Sequence, residues 1–228
     1  MKRIIVILAT AATLASCFVN VNFVRGNGVA ASKAYDVAPF TEIVLSGSED
    51  IVYRQGGQVS VILYTDENLI EYYEIESLDG CLYVKYQAGV SLSPKTESRV
   101  EVVAPDMNAL RVQGSGDIKV LGPVKSEGEM ALSVSGSGDI SADAIDAASF
   151  RAKVSGSGDI EVDALTCGGA SLSVNGSGDI DITCRGAGDI EARVNGSGDI
   201  TLRGTARSLN SKVSGSGDVN SGGLQLVP

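Results

Sequence analysis

Six aspartates recur behind the same three residues. Gly-Ser-Gly-Asp ends on Asp117, Asp139, Asp159, Asp179, Asp199 and Asp218. The string opens on Gly114, Gly136, Gly156, Gly176, Gly196 and Gly215 and carries Gly116, Gly138, Gly158, Gly178, Gly198 and Gly217 in third place. Stacked in register, neighbouring carboxylates would lie about 5 Å apart. They would repel by roughly 1 kcal/mol in water and by several at an effective dielectric of 20. Turn hydrogen bonds with solvent exposure can offset that, and so can a row of Ca²⁺ ions bridging the rungs. The calcium-binding nonapeptide G-G-x-G-x-D, however, places a residue between its last glycine and the aspartate, and here Asp follows Gly directly. The structural reading is preferred, and neither a metal nor a cofactor is expected.

Catalytic readings find little support. The chain has no histidine, which removes the commonest general base and the nucleophile–histidine pairs. Close carboxylates such as Asp139 with Asp143, or Asp179 with Asp181, read as the outward face of strands. No helix follows the Gly-x-Gly strings, so they are not phosphate loops. No Cys-x-x-Cys supports a zinc or redox site. A non-enzyme is expected.

The elements that position the aspartates follow from the period. The motif starts are spaced by 22, 20, 20, 20 and 19 residues. A half-period copy, Gly186-Ala187-Gly188-Asp189-Ile190, lies between two repeats, and an eroded one, Gly47-Ser48-Glu49-Asp50-Ile51, lies far upstream. Between motifs, apolar and polar residues alternate: Leu132 and Val134 with Ser133 and Ser135, then Ile140, Ala142 and Ala144 with Ser141 and Asp143. Period-two alternation means strands with one buried face. Twenty residues suit two strands and two turns, too few to bury a core alone, so units must stack. The fold class is all-β: a two-sheet β-solenoid with Gly-Ser-Gly-Asp turns along one edge and weaker turns near Gly128, Asp146, Gly168, Gly186 and Gly204 along the other. Glycine is expected there for its access to φ > 0, and Asp for local bonds that close its own turn.

The N-terminal half is less regular. Strands are expected over Glu42–Leu45, Ile51–Arg54, Val59–Tyr64, Tyr72–Glu76, Leu82–Tyr86 and Arg99–Val103, with a hairpin turn at Asp79-Gly80. Thr65 to Ile70 suits one helical turn capped by Thr65 or Asp66. This half reads as larger coils capping the solenoid, with a separate sandwich domain as the competitor. Tyrosines 64, 72, 73, 83 and 86 either fill the core of the cap or offer a sugar-stacking platform.

The first residues bear on the compartment. Lys2 and Arg3 precede an apolar run, Ile4 to Ala12, of secretory-signal length and too short to span a bilayer. It closes on Leu14-Ala15-Ser16-Cys17, which resembles the bacterial lipobox, whose cysteine is cut free and acylated. That resemblance implies residues 1–16 as signal peptide and lipid on Cys17, with 17–34 as anchor and tether, or edge strand in part; the repeat pattern then divides the rest into 35–112 as cap and 113–228 as regular repeats. Without Lys2 and Arg3, 16 basic residues face 28 acidic ones. That charge repels nucleic acid, so none is expected as a partner. Cys81, Cys167 and Cys184 remain, an odd number, and pairing of Cys167 with Cys184 stays open.

The string Phe40-Thr41-Glu42-Ile43, Gly47-Ser48-Glu49-Asp50-Ile51, Tyr64-Thr65-Asp66-Glu67-Asn68 and Asp79-Gly80-Cys81-Leu82, followed by serial Gly-Ser-Gly-Asp, resembles the head GIN domain family. These are autotransporter-adhesin-like heads common in lipoproteins of the Bacteroidetes. The resemblance covers roughly residues 35 to 222. It implies a right-handed β-helix and a cell-adhesion role toward a glycan or host surface, with a homotrimer by analogy to trimeric adhesin heads and no catalytic residues to carry over. Phe18-Val19-Asn20-Val21-Asn22 lacks the acidic residues of surface-export signals, so either face of the outer membrane remains open. A carbohydrate-binding or carbohydrate-active β-helix with an acidic site is the alternative.

Overall fold

The structure, a computed structural model, describes residues 22–227. Cys17 and the signal-like segment lie outside them. Alternation dictates the main body. Strands β11 (Ile118–Val134), β12 (Ile140–Val154), β15 (Ile180–Val194) and β16 (Ile200–Val213) each run most of the way round one coil. One coil is divided into β13 (Ile160–Cys167) and β14 (Gly169–Val174), and β17 (Val219–Leu226) comes last. Every one of these pairs parallel with its neighbours, Ile140 opposite Ile118 and Ile160, Ile180 opposite Ile160 and Ile200. Like residues therefore stack. Ile51, Ile118, Ile140, Ile160, Ile180 and Ile200 form one fully buried column, and Val112, Val134, Val154, Val174 and Val194 another.

The second edge is smoother than a line of turns. The ladder there shifts register without breaking, between Val120 and Pro123, Ser126 and Glu129, Val162 and Leu165, Arg185 and Ala187, and Thr201 and Arg203. Gly122, Gly186 and Gly204 take φ of 76°, 84° and 90° there, the left-handed conformation a glycine adopts without cost. Gly122 and Gly186 fall within two of the shifts, bulges that bend the strand while keeping it hydrogen-bonded, whereas Gly204 stays in register opposite Cys184. The ladder thus continues around each coil except at Gly168, where a bend parts β13 from β14 as the sequence suggested.

The cap is built out of sequence order. Strands β3 (Glu42–Leu45) and β4 (Asp50–Gln55) form the coil that carries Gly47-Ser48-Glu49-Asp50. On one side lie β10 (Ala109–Val112) and β11, and on the other β7 (Cys81–Tyr86) and β9 (Arg99–Ala104). The later β7–β9 coil is thus slipped outside the earlier one. Antiparallel strands then end the stack: β6 (Tyr73–Leu78) on β7, β5 (Ser60–Asp66) on β9 and β2 (Ala30–Tyr35) on β5. Asp79 and Gly80, at φ 50° and 78°, make the expected hairpin turn. All these strands belong to the same sheet as the repeats.

Between β7 and β9, where a repeat would carry its four-residue turn, the chain makes a longer excursion. It includes β8 (Val90–Ser93), which pairs parallel with β1 (Asn22–Arg25). Asp66 secures this excursion. Its buried carboxylate accepts hydrogen bonds from the amides of Gly28 (2.5 Å), Lys95 (2.8 Å) and Thr96 (3.1 Å) and from the Thr96 hydroxyl. A Cβ on Gly26 would lie 2.4 Å from that carboxyl group. The expected helical turn is a 3-10 turn, Glu67–Tyr72, preceded by Asp66, but the Asp66 side chain does not cap it. Three amides from two other loops compete for the same oxygens and win.

Burial pushes the Asp66 carboxyl up, but the bonds from Thr96, Lys95 and Gly28 outweigh it and hold its pKa below the ordinary value. A depressed folded pKa means the stabilisation is present above the unfolded pKa and lost as pH falls through the folded one. Asp66→Asn is expected to lower the urea midpoint at pH 7. The gap to the parent should close on acidification, as measured by urea unfolding at several pH values. A gap independent of pH would contradict this account.

Candidate functional site

The Gly-Ser-Gly-Asp turns stack into one continuous ridge. The structure brings together Gly114, Gly136, Gly156, Gly176, Gly196 and Gly215 as one column, and Gly116, Gly138, Gly158, Gly178, Gly198 and Gly217 as a second. The expected reason for glycine is corrected. None of these takes a left-handed φ except Gly215 at 154°. Proximity is what excludes a side chain. A Cβ on Gly136, Gly156, Gly176 or Gly196 would lie 1.9–2.0 Å from the carbonyl oxygen of the glycine one coil earlier, and one on Gly138, Gly158, Gly178 or Gly198 would lie 2.0–2.1 Å away. Ordinary contact needs more than 3 Å. The turns approach this closely because each is hydrogen-bonded to the next, for example Ser157 N to Gly136 O at 3.0 Å and Ser177 N to Gly156 O at 3.0 Å.

The aspartates complete that ladder. The amide of Asp139 donates to Oδ1 of Asp117 at 2.8 Å, Asp159 to Asp139 at 2.8 Å, Asp179 to Asp159 at 2.7 Å, Asp199 to Asp179 at 2.7 Å and Asp218 to Asp199 at 2.7 Å. The column begins at the eroded copy, where Asp117 donates to Asp50 at 3.1 Å. The backbone carbonyls of these aspartates accept the Ile amide of the preceding coil, as Asp159 O does from Ile140 N at 2.9 Å. The carboxylate therefore bonds the next coil instead of closing its own turn, as the sequence suggested. Only Asp218, the last, turns onto its neighbour, the amide of Val219. An N–H donor at each carboxylate, together with exposure to water, offsets the repulsion between neighbours. Among the described residues no group of three acidic or sulfur side chains is arranged to hold a metal ion.

The half-period copy is not part of this ridge. Gly186 sits at a bulge, Gly188 stacks on Gly168 across the coil, and Asp189 lies inside β15. Hydrogen bonds from Arg207 and Ser208, and the Arg207 charge, hold the Asp189 carboxyl down at about 2. Ten residues carry a motif half-way round the coil.

Sequence reasoning missed one residue that matters. Glu49 replaces the second glycine in the first copy and is only 4% exposed. It faces the cap, where no identical turn lies beneath, and accepts a bond from Tyr86 at 2.6 Å. Tyr73 meets Tyr86 edge to face at 5.1 Å and bonds Ser98, which reaches Thr65. Burial and the Glu49 charge push both phenols up. The departure from Gly-Ser-Gly-Asp was itself the signal. None of tyrosines 64, 72, 73, 83 and 86 is fully exposed, so they form the cap interior and its flanks. Cys81, Cys167 and Cys184 are free and buried, and burial, with Cys167 beside it, pushes the Cys184 thiol up to about 11.

Ion pairs bridge coils: Arg111 with Glu42, Arg151 with Glu129 at 3.0 Å and Arg203 with Asp181 at 2.5 Å. A groove of about 560 Å³ near the second edge is lined by Thr41, Asp106, Asn108, Lys125 and Glu127. The Lys125 and Glu127 side chains lie 3.6 Å apart and are 68% and 92% exposed, so water screens the pair.

Two substitution pairs test the ridge. Gly178→Ala is expected to cost about 3 kcal/mol or more, the upper end for overpacking, since backbone cannot move aside as a side chain does. Gly128→Ala, with open space around its Cβ, should stay within about 0.5 kcal/mol. Asp159→Ala should cost about 1 kcal/mol by leaving the Asp179 amide to water. Asp159→Asn, which keeps the oxygen acceptor, should be near neutral. Equilibrium unfolding reads all four, and equal effects within either pair would contradict the stacking account.

Known proteins share this architecture. A protein described as a putative adhesin from Bacteroides fragilis superposes with a TM-score of 0.72 at 18% identity, covering 86% of this chain and 99% of that one. A putative adhesin from Parabacteroides distasonis gives 0.63 at 24% identity, over 87% and 99%. A putative lipid binding protein from the same species gives 0.60 at 21%, also over 87% and 99%. No curated protein matches the chain. The family described as "Putative auto-transporter adhesin, head GIN domain" matches residues 39–223, from the first cap coil to the last Gly-Ser-Gly-Asp turn. The chain belongs to the head GIN domain family.

Proposed function

We propose that this protein is a non-enzymatic lipoprotein of the outer membrane that serves as an adhesion or envelope structural module. The observation that carries the reading is the ridge itself. Its aspartates accept backbone hydrogen bonds from the next coil, so the residues with the strongest chemical signature build a rigid, acidic, repetitive surface. Such a surface suits contact with a glycan, a host surface or further copies of the chain, as a homotrimer would provide. Membership of an adhesin-head family supports the same reading. The Leu14-Ala15-Ser16-Cys17 string supports the anchor.

A carbohydrate-binding role is the second reading, favoured by the groove beside Thr41, Asp106 and Asn108, whose size falls within the range of small-molecule sites. Its exposed walls and lack of a stacking aromatic make it the weaker of the two.

Protease and antibody accessibility on intact cells tests the first reading, with Cys17→Ala as control. Signal on intact cells that disappears with Cys17→Ala is the expected result for a displayed adhesin. Protection until the outer membrane is broken would overturn display and leave a periplasmic envelope role.

A further inference from the structure

Among the described residues the β1–β8 ribbon is the pair of strands that stands outside the main sheet, and its two faces differ sharply. Val24 and Leu92 turn inward and pack on the core. Phe23 and Arg25 turn outward, opposite Ser91 and Ser93. Phe23 is 75% exposed, more than any other large apolar residue described. Phenylalanine carries about 150–250 Å² of surface, and on this outward strand face most of it is open to a partner.

Charge and reach both indicate what covers it. In a chain with 28 acidic residues the first is Asp36, so nothing acidic lies between Phe18 and Tyr35, while Arg25 and Lys33 do. The β8 excursion, Gln87 to Thr96, likewise contains Lys95 and no acid. Of the acidic groups on neighbouring segments, Asp66 is buried under its four donors, Glu97 pairs with Arg99 at 2.9 Å, and Glu67 and Glu71 are exposed on the 3-10 turn. Phe23 stands six residues after Cys17. A fully extended chain of that length spans about 20 Å at most. The stack from β7 to the last coil of β16 takes seven steps of about 4.8 Å, or about 34 Å. A lipid on Cys17 therefore brings the ribbon to the membrane and leaves the Asp218 end beyond its reach.

We propose that the outward face of the β1–β8 ribbon, with Phe23 and Arg25, rests on the bilayer that holds the acylated Cys17, so that the solenoid stands on its cap. This rests on the lipoprotein reading above. Phe23 enters the headgroup–acyl boundary, where aromatic side chains are favourable, and Arg25 and Lys95 meet anionic headgroups. The rest of the acidic surface is repelled by those same headgroups, which favours the upright orientation.

The absence of any tryptophan allows a direct test. The full chain, acylated in a bacterial host, is reconstituted in vesicles of phosphatidylethanolamine and phosphatidylglycerol as Phe23→Trp or, as control, Val213→Trp. Val213 is 43% exposed at the opposite end of the stack. Neither substitution touches the core. The tryptophan at 23 is expected to emit further to the blue in vesicles than in detergent-free solution of the unacylated Cys17→Ala form, and to lose most of its intensity when the acyl chains are brominated. The tryptophan at 213 should do neither. Intact mass separates the two levels of the claim. A chain without acyl groups would overturn the anchoring reading and this proposal with it. Acylated protein whose tryptophan at 23 stays unquenched, or shifts to the blue without quenching because protein covers it, would overturn the docking alone.

Discussion

Along the ridge, backbone meets backbone so closely that the space for a methyl group is already taken by the carbonyl oxygen of the turn one coil earlier, 1.9–2.1 Å from where a Cβ would lie. This approach sets the period of the whole molecule. Two glycines per coil must recur in the same places, and the strands on either side inherit that register. Isoleucine then falls on isoleucine and valine on valine. The thin core is a consequence of the stacking at its edge as much as its cause.

Hydrogen bonding sets the second requirement. A bend of four residues interrupts the parallel ladder, and amides exposed by the bend need acceptors. The aspartate carboxylate supplies one from the coil before, which ties each turn to its neighbour and leaves a row of negative charge in water. At the cap end one device is withdrawn while Asp50 still accepts from the Asp117 amide. Glu49 occupies a glycine position and reaches into the cap, and antiparallel strands replace parallel coils. A stack of open coils would otherwise present an unpaired edge to other chains.

Much of this was legible in the serial motif. The turn columns, the parallel stacking of about twenty residues per coil and the inward Ile and Val columns all follow from spacing and alternation. The reason for glycine was not legible. A turn glycine suggests positive φ, whereas the contact that forbids a side chain lies twenty residues away along the chain and exists only after stacking. The same holds for Asp159 and its fellows, whose hydrogen bonds join residues of different coils. The order of the cap coils was hidden because β7 and β9 carry no copy of the motif. Asp66 sat beside a plausible helical turn, and only the folded loops at Gly28 and Lys95 draw its carboxylate elsewhere.

Native-state hydrogen exchange at the amides of Asp139, Asp159, Asp179 and Asp199 tests the central claim most directly. These residues are exposed, so amides without a stacked acceptor would exchange as freely as any surface loop. The account predicts protection comparable to that of the flanking Ile140, Ile160, Ile180 and Ile200 amides, since both are bonded to a neighbouring coil. Fast exchange at the aspartates beside slow exchange at the isoleucines would show that the turns are carried by the strands alone, and that the carboxylate ladder is not what joins one coil to the next.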